Sequence, residues 1–198
     1  MDPFAVLLIC DVENATMESD KVPDMLANVT ASLKTVNPEY HIVEKVMVGN
    51  MDLGFIKENR LCLRRENFIL MRVPKRERIC HCGNVVLKSP NKRKPHERAF
   101  DVADRCILRV ILDRVLTKSL PPNILLTSSD CDFTKPLEIL RSHEYTLMLA
   151  CDIRASIDLK NQVMYVWNWN WMYKEERSPA ITNHFNLRWQ ARLKQPRD

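Results

Sequence analysis

Residues Phe4–Cys10 are seven consecutive apolar side chains, and the next position is an aspartate. A strand that is apolar at every residue must be covered on both faces, which is the environment of a parallel sheet between two layers of helices. The run is too short for a signal peptide and has no basic lead-in. It meets Asp11-Val12-Glu13 where a cleavage site would stand, so the chain is expected to begin inside its first strand.

The later segments repeat that logic. Val22, Met25, Leu26, Val29 and Leu33 recur at three- and four-residue spacing, an amphipathic helix that Asn37-Pro38 ends. Tyr40–Val48 predicts the second strand, Met51–Cys62 a short helix and Asn67–Val73 a third strand. Val102, Cys106, Ile107, Val110, Ile111, Val115 and Leu116 make a broad stripe on a long helix across Arg98–Lys118, and Pro121-Pro122 breaks it. Asn123–Thr127 reads as a strand, Phe133–Ser142 as a helix and Tyr145–Ala150 as a strand. A short helix and a last strand near Val166 complete the body. Strands alternating with helices imply an α/β fold, with a mostly parallel sheet of five or six strands flanked by helices on both sides. At 198 residues the chain suits one domain with a sizeable core. No apolar run approaches the roughly 18 residues that cross a bilayer, so no membrane partner is expected.

Charge is distributed unevenly. Residues 57–98 carry thirteen Lys or Arg against four Glu, an excess of nine that leaves the remainder at −4 against the overall +5. A basic block beside a mildly acidic body suits a polyanionic partner, since each phosphate contact releases counterions. A solvated loop kept soluble by its charges is the bland alternative. The densest part, 74–98, holds Pro74, Pro90 and Pro95, the clusters Lys75-Arg76 and Lys92-Arg93-Lys94, and a candidate hairpin over Ile79–Leu87. An excursion of that length inside a compact domain is usually functional or disordered. Seven cysteines, four of them in or beside apolar stretches, suit free thiols in a reducing compartment. The sequon Asn28-Val29-Thr30 carries no weight in such a protein.

The acids stand where strands end. Asp11 follows the first strand and Asp130 the fourth, with Asp132 two residues on; Glu13 and Asn14 flank Asp11. Asp101 and Asp104 lie near the start of the long helix. In open parallel sheets the reactive crevice lies beyond the carboxyl ends of the strands, where strand order reverses. Converging carboxylates repel unless a cation intervenes, and a hard divalent ion with oxygen ligands is the usual remedy. The competing structural reading makes these acids helix caps in solvated loops, and Asp130 or Asp132 could cap the helix at Phe133.

With those residues in view, the chain resembles the NYN domain, a branch of the PIN-like nucleases, nearest the limkain-type and plant group. The resemblance rests on Leu8-Ile9-Cys10-Asp11-Val12-Glu13-Asn14, on Val102-Ala103-Asp104 and on the run from Pro122 through Ser128-Ser129-Asp130-Cys131-Asp132-Phe133. Leu137–Arg141, Tyr145–Ala150 and Val166–Trp169 extend it across most of residues 5–170. It implies a PIN-like Rossmannoid domain over 1–173, interrupted by the basic insertion at 74–98, with a tail at 174–198. It also implies a Mg²⁺- or Mn²⁺-dependent endoribonuclease acting on single-stranded or loosely structured RNA in its turnover. Its acids would be Asp11, Asp104 and Asp130, supported by Asp132 and Asn14. Arg76, Arg78, Lys92, Arg93 and Lys94 are the expected phosphate contacts. Ser129 departs from the family, which usually carries glycine there. That departure and the long insertion motivate an alternative, an RNA- or protein-binding module that retains the fold without turnover. The expected compartment is the cytoplasm; relatives are linked to peroxisomes, but Gln195-Pro196-Arg197-Asp198 is no peroxisomal signal.

Other motifs point elsewhere and more weakly. Asp130-Cys131-Asp132-Phe133-Thr134 fits the aspartate signature of haloacid dehalogenase-type phosphatases, yet it comes late in the chain and lacks clear partner acids. As a calcium loop it fails, with Lys135 and Arg141 where glycine and glutamate belong. Cys80-His81-Cys82 with His96 offers thiols and imidazoles for zinc, but one residue between the cysteines is too few. Tyr165, Trp167, Trp169, Trp171 and Tyr173 alternate at period two, so an extended strand would carry one aromatic face, either core or a base-stacking surface. Ile181, Phe185, Trp189 and Leu193 repeat at four, which predicts an amphipathic helix docking on the body, on a partner or on a second copy.

Overall fold

The structure, a computed structural model, describes residues 2–73 and 102–183. The expected phosphate contacts Arg76, Arg78, Lys92, Arg93 and Lys94, the Cys80-His81-Cys82 segment, the Ile79–Leu87 hairpin, Asp101 and the tail positions Phe185, Trp189 and Leu193 lie outside the described residues.

The strands are β1 (Ala5–Asp11), β2 (His41–Gly49), β3 (Ile69–Arg72), β4 (Asn123–Thr127), β5 (Thr146–Cys151), β6 (Tyr165–Asn168) and β7 (Ile181–Thr182). They form one sheet in the order β3-β2-β1-β4-β5-β6-β7. Every pairing is parallel except the last, between β6 and β7. The expected α/β architecture is present, and the sheet is larger than the five or six strands expected.

All seven residues of β1 are buried, six of them apolar and the last Asp11, as a strand covered on both faces requires. Its alternate residues supply two cores. Val6, Leu8 and Cys10 pack with α1 (Val22–Lys34), α2 (Gly54–Glu58) and α3 (Arg60–Arg65) through Met25, Val29, Leu33, Ile56 and Leu63. Leu7 and Ile9 pack with α4 (Val102–Leu116) and α5 (Thr134–Ser142) through Ile107, Val110, Leu137 and Leu140. The sheet is therefore helix-covered on both faces. Arg114, in the last turn of α4, clamps Glu44 in the first half of β2 with a two-pronged ion pair, Nε to Oε2 at 2.8 Å and Nη2 to Oε1. That contact runs α4 antiparallel to the strands, with its first turn towards their carboxyl ends.

Three expectations change. The single helix expected over Met51–Cys62 is two short ones separated at Asn59, whose side-chain amide is turned onto the Ser19 and Phe55 carbonyls. The alternating aromatics do not continue as a strand: after Asn168 the chain coils into a short helix over Trp169–Met172, where the Asn170 N–H donates to the Asn168 side chain at 3.0 Å. Ile181, expected in a tail helix, instead pairs with Val166, so the sheet extends past residue 173. Among the described residues no helix is long and apolar enough to cross a membrane.

Candidate functional site at the carboxyl edge of the sheet

The chain winds from β1 outward through β2 and β3, then returns to the other side of β1 with β4 and continues to β7. Strand order therefore reverses between β1 and β4, the position at which open α/β sheets bind ligands. Asp11 is the last residue of β1. Ser128-Ser129-Asp130 comes directly after β4.

Asp11 is fully buried. Its register alternates with Ile9 and Leu7, so the carboxylate lies on the α4 side of the sheet. Behind it the chain turns tightly, with the Ala15 N–H donating to the Asp11 carbonyl at 2.7 Å, and this turn brings Asn14 back over the carboxylate. Asn14 Nδ2 donates to Oδ2 at 2.6 Å, Ser128 Oγ donates to Oδ2 at 2.8 Å, and the Glu13 N–H donates to Oδ1 at 3.3 Å. Burial pushes the Asp11 carboxyl above the usual range, and these donors only partly oppose it. The turn also needs Gly49, whose φ is +136°. A Cβ there would sit 2.7 Å from Val12 Cγ2.

Ser128 connects Asp11 to the neighbouring turn. Its buried hydroxyl, while donating to Asp11, accepts the Asp130 N–H at 3.2 Å. Laid end to end these bonds hold the Asp11 carboxylate within about 6 Å of the Asp130 backbone. Asp130 caps a 3₁₀ turn over Cys131–Phe133 by accepting the Asp132 N–H at 2.9 Å. Asp130 thus caps that turn, whereas the helix expected at Phe133 begins at Thr134 without a side-chain cap. Asp130 is half-buried; Cys131 and Asp132 are exposed.

Ser129 does not need to be glycine. Positive φ among the described non-glycine residues occurs at Asn67, Lys118 and Glu144. Ser129 has no such backbone. Its hydroxyl instead accepts the Asp152 N–H at 2.8 Å and ties the end of β4 to the end of β5.

The expected acids come together unevenly. Among the described residues, one group of three ligand-capable side chains lies within 4.8 Å of one another, Asp130, Cys131 and Asp132. Asp11 and Asp104 stand outside it, so the expectation that Asp11, Asp104 and Asp130 share one compact group is not met at that distance. The reason is local: Asp11 is turned inward onto Ser128 and Asn14. Asp104, in the first turn of α4, is itself buried at the same end of the sheet. Asn14, expected in a supporting role, donates to the Asp11 carboxylate.

Three contributors are not among the residues expected from the sequence. Ser128 and Ser129 are legible only once β1, β4 and β5 are side by side. Asp152 did carry a signal: like Asp11 and Asp130, it is an acid close behind an apolar strand. Its Oδ1 accepts the Arg154 N–H at 2.8 Å and its Oδ2 the Asn170 Nδ2 at 3.4 Å.

The fold is a shared one. The chain is similar to a protein of unknown function from Vibrio parahaemolyticus RIMD 2210633, with a TM-score of 0.52 and 12% identity over 83% of this chain and 92% of that one. At that identity the likeness shows the α/β fold alone. No family model matches the sequence, and no curated protein matches it.

The donor set is chemically suited to a hard cation. Asp130 and Asp132 offer exposed or half-exposed carboxylate oxygens within 4.8 Å; Asp11 ends one flanking strand and Asp152 directly follows the other. Carboxylate oxygens are the donors that hard cations take, and Cys131 adds one soft donor to the group.

Proposed function

We propose that this carboxyl edge is the site of a divalent-metal-dependent endoribonuclease acting on single-stranded or loosely structured RNA. The observation that carries the reading is the chain of contacts from buried Asp11 through Ser128 to the Asp130–Asp132 pair, at the switch point of the sheet. Asp130 and Asp132 would hold Mg²⁺ or Mn²⁺, with Asp11 and Asp104 supplying negative charge behind them. The ion, when bound, supplies charge neutralisation at the scissile phosphate and an activated water. Asn14 keeps Asp11 oriented, and Ser128 couples that carboxylate to the Asp130 turn. Asp132, the outermost acid, is the group available to accept a proton from water. The basic residues Arg76, Arg78, Lys92, Arg93 and Lys94 would bind the phosphate backbone, in keeping with their sequence excess. The resemblance to the NYN domain supports the same reaction class, and a cytoplasmic setting suits the free cysteines.

A second reading is favoured by one observation: Asp11 and Asp104 lie outside the compact group. A binding module that retains the fold without turnover would look the same. Incubating the protein with RNA and Mg²⁺ or Mn²⁺ separates the two. Cleavage that chelator stops, and that Asp130→Asn or Asp11→Asn abolishes with the fold intact, is the expected result. Salt-sensitive RNA affinity that those changes do not weaken, without any cleavage, would replace the enzyme with the binding module.

A further inference from the structure

One of the alternating aromatics is not core. Tyr165, Trp167, Trp169 and Tyr173 are buried, whereas Trp171 is 52% exposed. Over its ring sits the guanidinium of Arg177, 5.3 Å from the ring centroid. This pairing is built from behind. The Arg177 N–H donates to buried Ser32 Oγ at 2.9 Å, and the Arg177 carbonyl accepts the Trp167 indole N–H, also at 2.9 Å. Glu175 Oε1 accepts from Arg177 Nη2, so backbone and head group are both held. What remains for a ligand is the outer surface of a pre-positioned aromatic–guanidinium stack.

Beside the stack is an open recess of about 270 Å³, lined by Asn168, Trp171, Arg177, Ser178 and Ala180. It is smaller than the roughly 300–1,000 Å³ that encloses a drug-sized molecule, and it is on the scale of one planar heterocycle. Two of its polar groups are uncommitted among the described residues. Asn168 uses its Oδ1 to accept the Asn170 N–H, which leaves its NH₂ to donate, and the Ser178 hydroxyl has no hydrogen bond to any described residue. The recess also adjoins the acidic edge: Asn168 ends β6, β6 pairs with β5, and Asn170 reaches Asp152.

We propose that this recess is a nucleobase subsite, in which one base of an RNA strand stacks on the Trp171–Arg177 platform and is read at its edge by Asn168 and Ser178. Aromatic rings and arginine planes are the surfaces on which unstacked bases settle, and a stacked base tolerates any sequence. Placed one strand beyond Asp152, the subsite grips a nucleotide flanking the one at the acids. It thereby selects single-stranded RNA, because a base within a duplex cannot leave its own stack to enter. The inference rests on the ribonuclease reading for its substrate.

The test uses the full chain with chelator present, so that nothing is cut, and fluorescence anisotropy of a short labelled oligoadenylate. An abasic sugar-phosphate oligomer of the same length is the control. Trp171→Ala should weaken oligoadenylate binding about tenfold, the share of one stacked base. Trp171→Phe should restore most of it, and both variants should bind the abasic oligomer as the parent protein does. Equal oligoadenylate affinity in the parent and Trp171→Ala overturns the subsite while leaving metal-dependent cleavage to stand. An equal loss for both oligomers also overturns it, since the ring would then serve the fold. Failure of the parent protein to bind oligoadenylate at all removes the subsite and the RNA reading together.

Discussion

Ser128→Ala is the sharpest probe of how the site is held. The change removes one oxygen from a fully buried position and creates almost no cavity, so its cost is that of the hydrogen bonds alone. The bond to Asp11 Oδ2, at 2.8 Å, goes to a carboxylate that burial already disfavours. Hydrogen bonds to charged groups contribute about 1.5–3 kcal/mol, against about 0.5–1.5 kcal/mol for neutral pairs. The second bond, from the half-buried Asp130 N–H, is longer at 3.2 Å and can be replaced by water. Ser128→Ala should therefore destabilise by about 1.5–3 kcal/mol, whereas Ser129→Ala, which loses a neutral bond to the Asp152 N–H, should cost about 0.5–1.5 kcal/mol. Urea unfolding with chelator present reads both, through a shifted midpoint at constant slope. The decisive arm repeats Ser128→Ala on an Asp11→Asn background. With the charge gone the same deletion should cost about 1 kcal/mol less, a coupling that a double-mutant cycle isolates. If the two backgrounds lose the same amount, Ser128 does not act through the Asp11 charge and the proposed coupling is wrong.

Three further predictions test the frame and the thiols. Gly49→Ala should destabilise by about 1–3 kcal/mol, since its Cβ would meet Val12 Cγ2 at 2.7 Å on a backbone with φ of +136°; an unchanged unfolding midpoint would refute that. Among the described thiols Cys131 should be the first alkylated and should be shielded by Mg²⁺, because it is exposed beside Asp130 and Asp132; alkylation at an equal rate with and without the ion would count against a metal there. Cys10, pushed by burial to about 12 from 9.0, should resist alkylation in the native state. For a native value raised above the unfolded one, stability is complete below pH 9 and is lost as pH rises towards 12. The loss from Cys10 is about 1.4 kcal/mol per pH unit. Cys10→Ala should flatten the slope of stability against pH in that range by one proton, and an unaltered slope would contradict it.

The frame of the fold was legible because its strands declare themselves by composition. Phe4–Cys10, Asn123–Thr127 and Tyr145–Ala150 are apolar with little or no alternation, which suits a doubly covered parallel strand. What escaped was decided by single side chains acting locally or by pairing at a distance. Asn59 turns its amide onto the Phe55 and Ser19 carbonyls and parts two helices that periodicity joins. Asn168 caps a helix inside what reads as an uninterrupted alternating strand. β7 is two residues long, and its place in the sheet depends on pairing back to Val166. At the site, Asp11 and Asp130 could be found because acids after apolar strands are conspicuous. Asp152 obeys the same rule and shows that it applies to β5 as well as to β1 and β4. Ser128 and Ser129 carry no such mark: a hydroxyl acquires a role only when another strand brings it a partner.

The contrast between Asp11 and the Asp130–Asp132 pair bears on what each acid does. Asp11 collects donors from Asn14, Ser128 and Glu13, yet burial still holds its carboxyl above the usual range. A charge so placed is under-compensated by neutral dipoles, and attraction to a nearby cation grows as the dielectric falls. Asp130 is half-buried and Asp132 exposed, and a cation is held less strongly where water screens it. In the proposed metal site the inner acid would supply field and the outer pair accessible oxygens, with Ser128 fixing the separation between them. Under that division Asp11 would act without entering the compact group. Moving it outward would relieve its burial while weakening the field it contributes. Neutralising it should reduce metal affinity even though the outer oxygens remain in place.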